Sequence, residues 1–165
     1  LVRTKIPDST PGFIVKYALD DEQALLARLR YNRLLDVFLC IVCYSLQNHL
    51  RTTVPGIGQV ETDEIYIGVD RSGAHYVVPV QAKARRERLG VLQVEQDFSL
   101  CRHRFPTLQC IPVGAQFMED DVIALFAFER TDEGIGVFLE KHYRLVPPEE
   151  VSDADIATYA SRPQA

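Results

Sequence analysis

The chain is short of the features that announce a metalloprotein, a membrane protein or a charge-driven binder. It has four cysteines, and only Cys40 and Cys43 stand at C-x2-C spacing. No second pair follows at zinc-ribbon spacing, which argues against a structural zinc site. His75, His103 and His142 are not paired at ligand spacing either. Basic residues are outnumbered, 18 Lys and Arg against 23 Asp and Glu, for a net charge of −5. That excludes nucleic-acid binding by overall charge alone, though not through a local basic groove. The apolar run 34–46 is interrupted by Asp36 and is too short to cross a bilayer. No Ser or Cys nucleophile motif occurs, and Gly56-Ile57-Gly58 is too short for a phosphate loop. No internal repeat and no low-complexity tract is present.

What remains is an ordinary globular composition, with 47% hydrophobic and 25% charged residues in 165. The length suits one domain, 1–165, able to bury a core without staples. Leu1 in place of Met is expected of a processed chain or a fragment. No signal-peptide pattern is seen, so reduced, buried thiols and a cytoplasmic location are expected.

Residues 1–18 carry Pro7, Pro11 and Gly12 and read as an irregular lead-in. Asp20-Asp21-Glu22 suits a helix start, with acid in the first turn. Apolar spacing predicts a helix to about 31 and a second, buried one from about 33 to 50, with Asn32 as its cap. Pro55 to Gly58 ends this region. Two β-rich runs follow, 60–69 and 75–82. A helix is expected over 89–105, then strands at 110–117, 122–128 and 136–140, the last continuing through 142–146. Pro147-Pro148 ends them, and Ser152 caps a short terminal helix within the tail 150–165. The order implies a mixed α/β domain with helices covering a central sheet.

The hairpin holds the most suggestive chemistry. Asp70-Arg71-Ser72-Gly73 matches a type I turn closed by a left-handed glycine. Asp70 then faces Ala74, Asp63 faces Gln81 and Glu61 faces Lys83, a polar square on one face. A two-residue turn would instead set Glu64 opposite Gln81. The bulged turn favours Asp63. The square suits either an ordinary cross-strand ion pair of Glu61 with Lys83 or a site for a hard cation. Mg²⁺ takes oxygen ligands and keeps several waters, so few carboxylates suffice. A lysine beside it could orient a water for phosphodiester hydrolysis.

An Asp on one strand, then Q-x-K on the next (Gln81-Ala82-Lys83), between two helices, resembles the PD-(D/E)xK nuclease superfamily. The Q-A-K variant looks like that of Mrr-type methylated-DNA restriction enzymes. The stretch from about 20 to 150 is similar to bacterial proteins labelled endonucleases. The resemblance implies a restriction-endonuclease-like α/β core, a central mixed sheet flanked by helices. It implies Mg²⁺, with Mn²⁺ able to substitute, and DNA as substrate in a restriction or defence role. It makes Asp63, Gln81 and Lys83 catalytic, with Glu61 or Glu64 as accessory acid, and puts the metal on Asp63, Gln81, Glu61 and Glu64. The alternative is an inactive nuclease fold kept as an interaction module. The chain departs from the pattern in Thr62 where Pro is usual, in Gln81 for an acid, and in Pro79 inside a strand.

Arg85, Arg86 and Arg88 follow Lys83 and could meet phosphates. Asp36 and Gln47 are candidate helix-borne additions to the site, and His49 a candidate partner of a helix end. Glu95, Gln96 and Asp97 read as a solvated helix face, with Gln96 a candidate contact to the metal or DNA backbone. Cutting both strands would favour a homodimer. No membrane partner is expected.

Overall fold

The computed structural model describes residues 2–163. Residue 1 and residues 164–165, the ends of the expected domain, lie outside the described residues. The chain order is β1 (Arg3–Pro7), α1 (Gly12–Tyr17), α2 (Asp21–Tyr31), α3 (Leu34–Leu39), β2 (Val42–Val54), β3 (Gly58–Val69) and β4 (His75–Lys83). It continues with α4 (Val91–Arg104), β5 (Gln109–Cys110), β6 (Val113–Phe117), β7 (Val122–Thr131), β8 (Gly134–Val146) and α5 (Asp153–Ala160). The result is an α/β architecture with a mixed eight-stranded sheet, ordered β1-β8-β7-β6-β4-β3-β2, with β5 also beside β4. Only β1/β8, β4/β5 and β4/β6 run parallel.

Two stretches differ from the sequence expectation. The lead-in is not irregular: it forms α1 and the edge strand β1. The expected helix 33–50 is a short helix, α3, and then the thirteen-residue edge strand β2. Cys40, in the left-handed region at φ 57°, ends the helix. An apolar run fits a buried helix and a strand equally by periodicity, and here β-branched Ile41 and Val42 go with the strand. Cys40 is accordingly exposed, whereas Cys43 is buried on β2. Asn32 closes α2 instead of opening α3, its side chain donating to the Arg28 carbonyl at 3.0 Å.

The hairpin register follows the turn. Gly73 takes φ 83°, which a side chain would strain, and Asp70 N–H donates to the Ala74 carbonyl at 3.1 Å. Ile65 then pairs with Pro79 and Glu64 with Val80. Pro79 is tolerated in a central strand for a local reason. In this register its missing N–H would point away from β3, toward residues 111–112, where β5 has ended and β6 has not begun.

Helices α2 and α3 cover one face of the sheet over Tyr66, Val78, Val80 and Ala82. Helix α4 covers the other, packing Leu100 and Cys101 against Ile65 and Val77. Leu25, Leu26 and Leu29 of α2 are fully buried, each worth roughly 1.5–3 kcal/mol of transfer free energy. They anchor the helix that starts at Asp20, whose carboxylate accepts from Gln23 N–H at 2.7 Å.

Glu64 fastens the same helix to the sheet. Its carboxylate is wholly buried, and Arg30 Nε donates to both oxygens at 3.1 and 2.9 Å. Ser45 Oγ donates to it as well. Replacing Arg30 by Met should cost roughly 3 kcal/mol in urea unfolding. That is the low end for breaking a buried pair, because Arg30 stays one-third exposed. Adding Glu64→Gln should restore part of the loss. A double variant no more stable than Arg30→Met alone would refute this account.

Candidate active site at the end of the hairpin

Regular alternation would set Thr62 and Ile65 on opposite faces. The structure puts both on the α4 side: Thr62, next to Val60 of the α4-side core, lies near Asp97 and donates its hydroxyl to the Val80 carbonyl at 3.3 Å, and Ile65 packs with Leu100. The face exchange falls at Asp63. Strand pairing is irregular there on both sides. β3 pairs with β4 only from Glu64 onward, and on β2 the facing His49 leaves the ladder with φ 48°. The Asp63 carboxylate fills the gap by accepting from Ala82 N–H at 2.8 Å. Its other oxygen accepts no hydrogen bond among the described residues.

Burial pushes the Asp63 carboxyl above its usual value, while Ala82 N–H, Lys83 and His49 pull it down and Glu61 adds to the rise. Lys83 and Asp63 also act on Glu22, in the first turn of α2. Glu22 is raised to about 7, mainly by burial, with the neighbouring Glu87 carboxyl adding to the rise. Helix α2 thus brings an acid to the hairpin end. In the sequence this acid reads only as part of a helix start, and the helix-borne acid is expected at Asp36.

Gln81 faces α4, as alternation requires. Its Nε2 donates to Asp97 at 3.1 and 3.3 Å and to the Glu61 carbonyl at 3.3 Å. The amide nitrogen is fully committed, so the oxygen is the free end of the side chain among the described residues. Asp97 is not on a solvated face. It is 1% exposed, and burial raises it to about 8, with Asp63 also raising it and Gln81 and Thr62 opposing. At neutral pH it is therefore mostly a neutral acid, which lowers the cost of its burial. The spacing placed it on a helix but carried no sign of its orientation.

The other expected members separate. Glu61 does not pair with Lys83. It is exposed and binds Arg51 Nε at 3.1 Å, with His49 Nδ1 at 3.6 Å. It stays near Asp63 as a charge. Glu64 is not the alternative to Asp63, because it faces α2 and is enclosed by Arg30 and Ser45. Asp36 is a satisfied polar group on Arg33 and the Cys43 N–H. Gln47 lies on β2 opposite Ile65, not on a helix. His49 contacts Gln23, at 3.2 Å. Gln96 is half-buried on α4, next to exposed Glu95. Arg85 is tied to Asp121 and the Met118 carbonyl and lies over Phe117. Arg86 and Arg88 are exposed and make no ion pair among the described residues.

Among the described residues, no group of three or more His, Cys, Asp or Glu side chains is arranged to hold a metal ion. Among the described residues, no helix is long and apolar enough to cross a membrane. Comparison with protein-family models, curated proteins and solved structures finds no match.

Asp97 makes stability depend on pH. Between the ordinary carboxyl pKa near 4 and about 8, the unfolded chain has released a proton that the folded chain holds. Its contribution therefore falls as pH rises through that window. Asp97→Asn keeps an acceptor for Gln81 and cannot ionise. Its melting temperature should match the parent at pH 4 and exceed it by a few degrees at pH 8. A pH-independent difference would contradict a raised Asp97.

Proposed function

We propose that the chain is a Mg²⁺-dependent DNA endonuclease of restriction-endonuclease-like fold, acting in restriction or defence. The observation that carries this reading is Asp63. It is a half-buried carboxylate at the break in strand pairing, with Lys83 and Glu22 at the same sheet end and an arginine-bearing loop directly after Lys83.

The donor set fits a hard cation. Asp63 has an oxygen that accepts no hydrogen bond among the described residues, Glu22 on the α2 side acts on it electrostatically, and the Gln81 amide oxygen is a neutral hard donor on the α4 side. Mg²⁺ needs only one or two protein carboxylates, completing its shell with water and substrate phosphate, so a three-acid cluster is not required. Mn²⁺ suits the same oxygen ligands. When bound, the cation lowers the pKa of the attacking water and offsets charge on the phosphate. Ala82 N–H holds Asp63 in one rotamer. Asp97 and the Glu61 carbonyl do the same for Gln81. Lys83 donates to the attacking water and the scissile phosphate. Arg86 and Arg88 hold the strand, guanidinium forks matching phosphate oxygens. Two copies would cut both strands.

The amide at Gln81 supports a second reading: a site short of one negative charge could serve as a DNA-binding module without cleavage. Nicking of supercoiled plasmid in Mg²⁺ or Mn²⁺ separates the two. Asp63→Asn and Lys83→Gln should each lower the nicking rate by about 10²–10³-fold, the scale for losing one preorganised charge contact. DNA binding in a mobility shift should survive. Binding without nicking by the parent, in either metal, would establish the module instead.

A further inference from the structure

Lys83 also lines an open pocket of about 730 Å³ on the α4 side of the sheet. This lies within the roughly 300–1,000 Å³ typical of small-ligand sites. Strands β6 and β7 form its floor, with Gly114 paired to Phe126. Phe126 and Phe128 are half-buried, each leaving part of its ring uncovered. The loop after β4 forms the wall. Leu89 rests where a Cβ at residue 114 would sit, 2.6 Å from Cδ2, so glycine is what lets the loop lie close. The loop is fastened by Gln116 Nε2 donating to the Glu87 carbonyl and by Arg85 to the Met118 carbonyl. Its other two cations, Arg86 and Arg88, line the pocket with no ion pair among the described residues.

An apolar, aromatic floor under a rim of free arginines, with Lys83 also among the lining residues, suits a ligand with a flat apolar body and an anionic backbone. Resting on the DNA substrate proposed above, we infer that the pocket takes an unstacked nucleobase of the bound strand. The base lies against Phe126 and Phe128, and its flanking phosphates meet Arg86 and Arg88. Stacking on aromatic rings tolerates any base, so the pocket selects distorted or unpaired DNA over regular duplex. Extruding a paired base costs unstacking energy that an unpaired base does not.

The test uses the full chain without divalent cation and a duplex bearing a single bulged 5-iododeoxyuridine. Irradiation should crosslink the iodouracil to Phe126 or Phe128, located by peptide mass spectrometry. The F126L/F128L double variant keeps an apolar floor without rings. It should bind the bulged duplex about tenfold more weakly and a perfect duplex unchanged. Should that variant fail to fold, R86Q/R88Q is the second arm, with lower crosslink yield and a shallower dependence of binding on salt. Crosslinks mapping elsewhere, no binding of the bulged duplex, or unchanged crosslink yield in the variants would overturn the inference. Nicking is read separately on the same preparation. Nicking without a crosslink removes the pocket and leaves the nuclease reading; a crosslink without nicking does the reverse.

Discussion

Ala82 donates its backbone N–H to the side chain of Asp63, at the point where the β3–β4 ladder ends. The rest of the candidate site depends on this exchange. A buried N–H must find an acceptor. By taking that place, the carboxylate is held in one orientation and one of its oxygens is left free. The same break lets Thr62 turn toward α4 while Glu64 turns toward α2. Adjacent acids in one strand thereby acquire different tasks. Asp63 lies at the open sheet end, and Glu64 is spent on fastening a helix.

The layers on either side hold this arrangement. Helix α2 is clamped by buried leucines and by Arg30 on Glu64, and its first turn delivers Glu22 beside Asp63 and Lys83. Helix α4 delivers Asp97, which is buried mostly as a neutral acid and fixes the amide of Gln81. Burial raises the carboxyl groups of Glu22, Asp63 and Asp97, and the Asp63 charge adds to the rise at Glu22 and at Asp97. Shifts of this kind mark candidate functional sites, although structural networks produce them too.

The hairpin was legible because its signals are local. A turn sequence with glycine in its fourth place sets the register from Glu64 to Val69, though the pairing of Asp63 with Gln81 that it implied is lost where the ladder ends. Helix α2 was legible from its cap and its leucines, and α5 from Ser152, which caps it as expected. The stretch 33–50 was not, because an apolar run without clear alternation does not distinguish a buried helix from an edge strand. The cross-strand square was only half legible. Alternation assumes an unbroken ladder, and the break at Asp63 sends Glu61 to Arg51 and His49.

The sequence by itself determined the turn, the hairpin register from Glu64 to Val69, the hairpin's polar end and the α/β class, all of which follow from residues close along the chain. Only the tertiary structure decided which acids meet. Glu22, Asp63 and Asp97 come from a helix start, a strand and a second helix. Packing of the two helices on opposite faces brings Glu22 and Asp97 each near Asp63, and burial shifts their proton affinities. Which of two neighbouring carboxylates became structural was likewise decided by an arginine on a helix packed across the sheet. No local pattern in the strand encodes that contact.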